Sequence, residues 1–261
     1  MAITAAQIKE LRELTGIGMM ECKKALTETD GDMEKAIDEL RKKGLSKAAK
    51  KADRETAEGW IKIIVNGSKA AVLSIACETD FLAISDKFKA MLTVICEYLA
   101  ENGESSKEAA QEKINSEYAL ELGENLQINE YKIVEADVVS SYVHSNGKLA
   151  ALITAKAWTD EEKAKQVAMH VTAANPEYLS PDDISEEVIE KEKSIQLEIM
   201  KNDPKMGGKS DDVLLKIIGG KMGKFKSDIS LLEQAFVIDP NQKVKNFIGE
   251  DSITAFYRFS V

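Results

Sequence analysis

Proline is scarce in this chain, four in 261 residues, and glycine is modest at 15. Long flexible or disordered linkers are therefore not expected. The three cysteines, Cys22, Cys77 and Cys96, have no C-x-x-C spacing, and two lie beside apolar or helical patterns that favour buried thiols. That usage fits a reducing intracellular compartment. No apolar run reaches the length of a membrane span, and the chain opens on a helix cap rather than a signal peptide. The expectation is a cytoplasmic protein with no membrane partner, and a mature organellar chain would read the same once its targeting segment was removed.

Catalytic equipment is equally thin. The two histidines are His144 and His170, and no nucleophile, base and orienting group stand in a recognisable pattern. Gly219-Gly220-Lys221-Met222-Gly223-Lys224 lacks the spacing and the following hydroxyl residue of a phosphate-binding loop. Asp80 alone makes no metal site, because hard cations recruit several oxygen ligands. The chain is expected to be no enzyme and to carry no cofactor and no metal.

What is present is a core-forming composition, 44% hydrophobic and 31% charged, with length for two or three domains. The formal charge of -10 gives no bulk electrostatic reason to bind nucleic acid. Arg41 to Arg54 nevertheless holds seven basic residues against Asp53 alone, which reads as a solvated helix or linker, or as a contact for RNA or an acidic protein.

Thr4 with Gln7 forms a capping box for a helix to about Leu14, with Ile8 and Leu11 on its apolar side. Gly16 and Gly18 interrupt it. Further helices are expected from Met19 to Thr27 and from Met33 to about Lys42, where Gly44 is placed to terminate the third. Such short helices must pack together to be stable. Ile17, Met20, Leu26, Ile37 and Leu40 read as that unit's core. An exposed Gly16-Ile17-Gly18-Met19 turn would instead be a docking element, since glycines allow close approach.

Two hairpins follow. Trp60 to Val65 and Ala70 to Ile75 flank Asn66-Gly67-Ser68-Lys69, a strong turn signal. A helix over Ser85 to Leu99 should bury Phe88, Leu92 and Ile95. The pattern then recurs: Tyr142-Val143-His144 and Leu149 to Ile153 flank Ser145 to Lys148, and a helix covers Asp160 to Thr172. Aligning Lys69 with Lys148 matches Ala71 with Ala150 and Leu73 with Leu152, which suggests an internal duplication. Between the copies, Ser105 to Tyr118 looks helical and Leu126 to Val134 extended.

The first hairpin's last strand runs into Ala76-Cys77-Glu78-Thr79-Asp80-Phe81-Leu82, a charged and aromatic tip at a hairpin end. An aromatic ring beside an acid there suits a partner's pocket better than a small molecule. Helices from Ser185 to about Met200 and from Asp211 to Phe225, separated by Pro204 and Gly207-Gly208, favour an antiparallel helical hairpin, projecting or packed on the body. Gly219 and Gly220 weaken the second of these helices. Ser230 to Pro240 reads as a strand and turn, and Ile253 to Val261 as a final sheet strand.

The ordered set Thr15 to Leu26, Thr79-Asp80-Phe81-Leu82, Tyr142-Val143-His144, Met169 to Leu179 and Ser230 to Val237 resembles the bacterial elongation factor Ts family over nearly the whole chain. The resemblance implies an α+β protein with a ubiquitin-associated-like three-helix N-terminal domain, a duplicated antiparallel-sheet and helix core, and a helical hairpin. Its domains would be 1–55, 56–140, 141–184 with 226–261, and 185–225 for the hairpin. The partner implied is elongation factor Tu, a GTPase that must be emptied of GDP before GTP can bind. Thr79, Asp80, Phe81 and Leu82 match the family's invading Thr-Asp-Phe-Val motif, with leucine in place of valine. Leu122, Gly123 and His144 match its other core contacts, and Ile17, Gly18, Met19, Met20 and Lys23 its docking segment. Familiar members continue past the segment matching Ile253 to Val261 into a helix that touches the GTPase. A competing reading is an RNA-binding or ribosome-associated assembly module, which would show salt-dependent RNA binding without effect on GDP release.

Overall fold

Helix caps and tight turns set the boundaries of the elements in the computed structural model, which describes residues 3–203 and 211–261. Helix α1, Ala5–Thr15, opens on the capping box of Thr4 and Gln7. Helices α2, Met19–Glu28, and α3, Met33–Lys51, follow. Leu11, Ile17, Cys22, Leu26, Ala36 and Leu40 form the core of this module, with Ile37 half-buried against it.

Two expectations fail here. Met20 is 78% exposed rather than buried, because helix α2 turns Cys22, Ala25 and Leu26 inward instead. Helix α3 does not stop before Gly44 but runs on to Lys51. Gly44 is buried where the helix crosses a neighbouring backbone: a Cβ there would lie 2.8 Å from the Ser116 carbonyl oxygen and 2.9 Å from that of Asn115. The absent side chain serves packing, not termination. Gly44→Ala in a free helix would gain about 1 kcal/mol. Here it is expected to lower the melting temperature, and an unchanged or raised melting temperature would show that the crossing is loose.

Strands β1, Glu58–Asn66, and β2, Lys69–Cys77, pair antiparallel from Asn66 with Lys69 to Glu58 with Cys77, around the two-residue turn at Gly67 and Ser68. The short helix α4, Asp80–Ala83, follows, then α5, Asp86–Asn102. Helix α6, Lys107–Lys113, passes through a π-helical turn, Ile114–Tyr118, into α7, Ala119–Leu122. Strand β3, Gln127–Glu135, completes a three-stranded sheet with β2 at its centre. Ala71, Leu73, Ile75 and Cys77 on one face of β2 pack against Phe88, Leu92, Ile95 and Leu99 of α5.

The second sheet repeats that order. Strands β4, Val138–Val143, and β5, Leu149–Ala155, precede helix α8, Glu161–Ala174. Ala151 and Ile153 of β5 pack against Ala164, Val167, Ala168 and Val171 of α8. Helices α9, Glu186–Asn202, and α10, Asp211–Ile229, share a separate apolar seam of Met200, Leu214, Ile218 and Met222. Gly219 and Gly220 do not interrupt α10; they face open space away from that seam. Pro204 and Gly207-Gly208, the expected breaker, lie outside the described residues.

Residues 230 to 240 do not form the expected strand. They make a 3-10 turn, Leu231–Glu233, and two isolated bridges, at Ser230 and Ala235. Leu231, Leu232 and Phe236 are all buried in the second core, a spacing that an alternating strand could not bury on one face. After α11, Val244–Ile248, strand β6, Ile253–Ser260, pairs with β5 and makes it the central strand.

The architecture is thus α+β with two small antiparallel sheets. The chain forms two compact units. Of the described residues, the first holds 3 to 135, the turn at 143 to 150 and the last three residues; the second holds 136 to 142, 151 to 203 and 211 to 258. No described helix is long and apolar enough to cross a membrane.

The matching register corrects the alignment of the two copies. The Leu149 carbonyl accepts from the His144 amide at 2.8 Å, so His144 and Leu149 stand where Asn66 and Lys69 stand in the first hairpin. Ala71 then corresponds to Ala151 and Leu73 to Ile153, the residues that face the helices. Anchoring on the lysines was one residue out, which in a strand exchanges the two faces.

Candidate functional site

Every residue singled out for partner contact lies in the first unit. The Thr79 to Leu82 segment is not at a hairpin tip. It is a corner where β2 turns into α4, at the opposite end of the hairpin from Gly67. Thr79 is extended and caps α4, its hydroxyl accepting from the Leu82 amide at 3.3 Å. The Asp80 carboxylate accepts from the Phe81 amide at 2.9 Å. Leu82 turns in against the first core, while Phe81 is 80% exposed.

Side chains rather than strand pairing hold this corner. One Glu124 carboxylate oxygen accepts the Glu78 and Thr79 amides at 2.8 and 3.0 Å, and the other accepts the Thr79 hydroxyl at 2.5 Å. In return the Glu78 carboxylate accepts the Asn125 amide at 2.7 Å. That bond and the Arg54 guanidinium at 3.3 Å hold the Glu78 carboxyl below the usual carboxylate range. Asn125 is buried, and its side chain donates to the carbonyls of Ala52 and Arg54 at 3.2 and 2.8 Å. Leu122 packs on the first core, and Gly123 ends α7 with its carbonyl held by Lys51. The corner and the Leu122–Gly123 loop are therefore stitched together.

His144 reaches the same end of the first sheet by another route. It is exposed in the β4–β5 turn, where its carbonyl accepts the Gly147 amide at 2.8 Å. The Gly147 carbonyl accepts the Ile61 amide at 2.8 Å, and Lys148 pairs with Glu58. Glu58 stands opposite Cys77, the last residue of β2 before the corner. The Trp60 ring lies on Gly147, with the Lys89 ammonium over its face at 4.1 Å.

In the three-helix module, Gly18, Met19, Met20 and Lys23 are exposed. Ile17 is not: at 5% exposure it packs with the module's core, so its side chain is not offered to a partner. The module meets the rest of the unit through Leu120, which joins its core, and through Arg41 and Glu117 at 3.6 Å.

Among the described residues no three acidic, histidine or cysteine side chains form a metal cluster. Burial pushes the Cys77 and Cys96 thiols up to about 12, so neither is a thiolate near neutral pH. His170 is buried and its basicity is lowered by that burial. Its Nδ1 accepts the Val237 amide at 3.1 Å and its Nε2 meets Gln234 at 2.8 Å, which makes it a structural cross-link.

Glu78, Glu124, Asn125, Trp60 and Gly147 were not singled out in the sequence. Their partners lie tens of residues away, so no local spacing announces them. The one signal was the run Gly123-Glu124-Asn125 beside an expected contact loop.

An exposed aromatic ring on a braced corner is a geometry suited to contact with another protein. Residues 78–261 match the family described as Elongation factor TS. The chain belongs to that family, whose general role is nucleotide exchange on elongation factor Tu rather than catalysis of a covalent reaction.

Proposed function

We propose that this chain releases GDP from elongation factor Tu by driving the Phe81 ring into an apolar pocket of the GTPase domain. The observation that carries the reading is a phenylalanine 80% exposed on a corner whose backbone is fixed by the body of its own unit. A rigidly presented aromatic ring offers a partner's pocket a large apolar area at little cost in ordering. Asp80 holds the helix that the ring displaces, and the shift disturbs the Mg²⁺ and phosphate surroundings of GDP. Leu122, Gly123 and His144 brace the partner against the same end of the sheet, and Leu82 anchors the corner from within.

Residues 1–55 are assigned the docking role, through Gly18, Met19, Met20 and Lys23. Docking raises the effective concentration of the core at the GTPase. The energetics call for several contacts. Weakening nucleotide binding 10⁴-fold needs about 5.5 kcal/mol of coupling, and linkage makes nucleotide weaken exchange-factor binding equally. One aromatic hot spot supplies roughly 2 kcal/mol or more. The brace and the docking module supply the remainder.

The basic run lends little support to an RNA-binding reading. Arg41, Lys42, Lys43, Lys47 and Arg54 pair with Glu117, Glu39, Glu28, Glu21 and Glu78, and Lys51 caps the Gly123 carbonyl. Neighbouring carboxylates thus offset the local positive potential.

The deciding experiment follows fluorescent GDP leaving purified elongation factor Tu at several concentrations of this protein. The release rate is expected to rise and saturate, and a rate independent of concentration would reject exchange. His144→Ala should slow release without shifting the melting temperature. Normal release would leave His144 a turn residue.

A further inference from the structure

We infer that Glu124 is a positioning residue for exchange: its carboxylate clasps the corner that carries Phe81 to the loop that carries Leu122 and Gly123, so that both press on the partner as one rigid jaw. The inference rests on the Phe81 reading above and adds the group that aims the ring.

Helix α4 has four residues and cannot hold its own geometry. Strand β2 ends at Cys77 and β3 begins at Gln127, so no ladder fixes Glu78 and Thr79 or the loop at 123 to 125. What fixes them is a reciprocal exchange. Glu124 accepts two amides and a hydroxyl from the corner, and Glu78 on the corner accepts the Asn125 amide from the loop. Bonds from a charged acceptor to backbone amides are among the strongest available to a protein. The buried Asn125 side chain adds the segment after α3 through the Ala52 and Arg54 carbonyls. Three stretches distant in sequence meet behind the Phe81 ring. A ring on a loose corner would have to be ordered during each displacement of GDP. On a clasped corner that ordering is done at folding.

The chemistry separates two substitutions. In Glu124→Gln the amide oxygen can accept the two backbone amides while the amide nitrogen donates to the Thr79 hydroxyl, so the clasp survives. Glu124→Ala removes it. In the fluorescent-GDP assay, E124A is expected to lower the saturating release rate about tenfold or more, with the half-saturating concentration within about threefold of wild type. E124Q should recover most of the rate. Hydrogen exchange at the Glu78 and Thr79 amides should be faster in E124A alone.

If E124A releases GDP at the wild-type rate while Phe81→Ala is slow, the clasp has no positioning role and the Phe81 reading stands. If both variants release GDP normally, the Phe81 reading itself falls, and this inference with it. Equal losses in E124A and E124Q would mean that the charge acts on the partner, and unchanged amide exchange in E124A would mean that something else holds the corner. Either result overturns the inference. Should E124A not fold, Glu78→Ala cuts the opposite arm, and an unaltered saturating rate there is equally fatal.

Discussion

Phe81→Ala is expected to slow GDP release from elongation factor Tu by about 30-fold at saturating exchange factor, the rate equivalent of a roughly 2 kcal/mol hot spot. The variant is expected to keep its fold. Phe81 is exposed and stands outside the cluster formed by β2 and α5, while Leu82 beside it makes the inward contact. Its removal therefore leaves no cavity, and the melting temperature should stay within the spread of ordinary surface substitutions. Stopped-flow release and a thermal melt of the same sample decide the matter together. Unchanged release would reject the wedge, and a large drop in melting temperature would mean that the ring packs within its own subunit.

Gly147→Ala is expected to destabilise the chain by about 2–4 kcal/mol, through the overpacking and backbone strain it would combine. Gly147 has φ +69°, a conformation that side chains rarely adopt, and a Cβ there would lie 2.0–2.2 Å from three atoms of the Trp60 ring. The ring has little freedom to leave, since the Ile61 amide beside it is bonded to the Gly147 carbonyl and the Lys89 ammonium sits over the ring at 4.1 Å. Gly67 supplies the control. It has φ +60°, yet nothing lies within 4 Å of the position its Cβ would take. Gly67→Ala should thus cost only the strain of the turn, about 1 kcal/mol. Urea midpoints measure both. Equal shifts would show that Trp60 does not clamp the second turn, and His144 would then have no fixed platform from which to brace a partner.

The two variants probe different links. Phe81→Ala is expected to act on exchange and to be nearly silent in folding, whereas Gly147 is a folding residue three positions from a proposed contact. GDP release by Gly147→Ala should fall as well, because His144 shares its turn.

Much of the fold was legible because the interactions that set it are local. The capping box at Thr4 and the tight turn at Gly67 each join residues three apart, and each forms where its spacing implied. The ring of Phe81 could also be read as a candidate contact, since an aromatic residue beside an acid at the end of an apolar strand suits a partner's pocket better than a small molecule. Less local features escaped. Gly44 looked like a terminator because the sequence does not show that Ser116 would press on it. Met20 looked like core because helical periodicity fixes which residues share a face but not which face turns inward.

The amino-acid order alone determined the α+β class and the repeated hairpin and helix, because short-range patterns carry both, and its ordered set of motifs was enough to suggest the family by resemblance. Tertiary structure alone decided that the Phe81 segment is a clasped corner rather than a hairpin tip, that Met20 faces outward, and that the second copy is offset by one residue. Those outcomes depend on contacts such as Glu124 with Thr79, which are 45 residues apart. Closing such a loop costs entropy that only the assembled core repays, so no local stretch of sequence announces the contact.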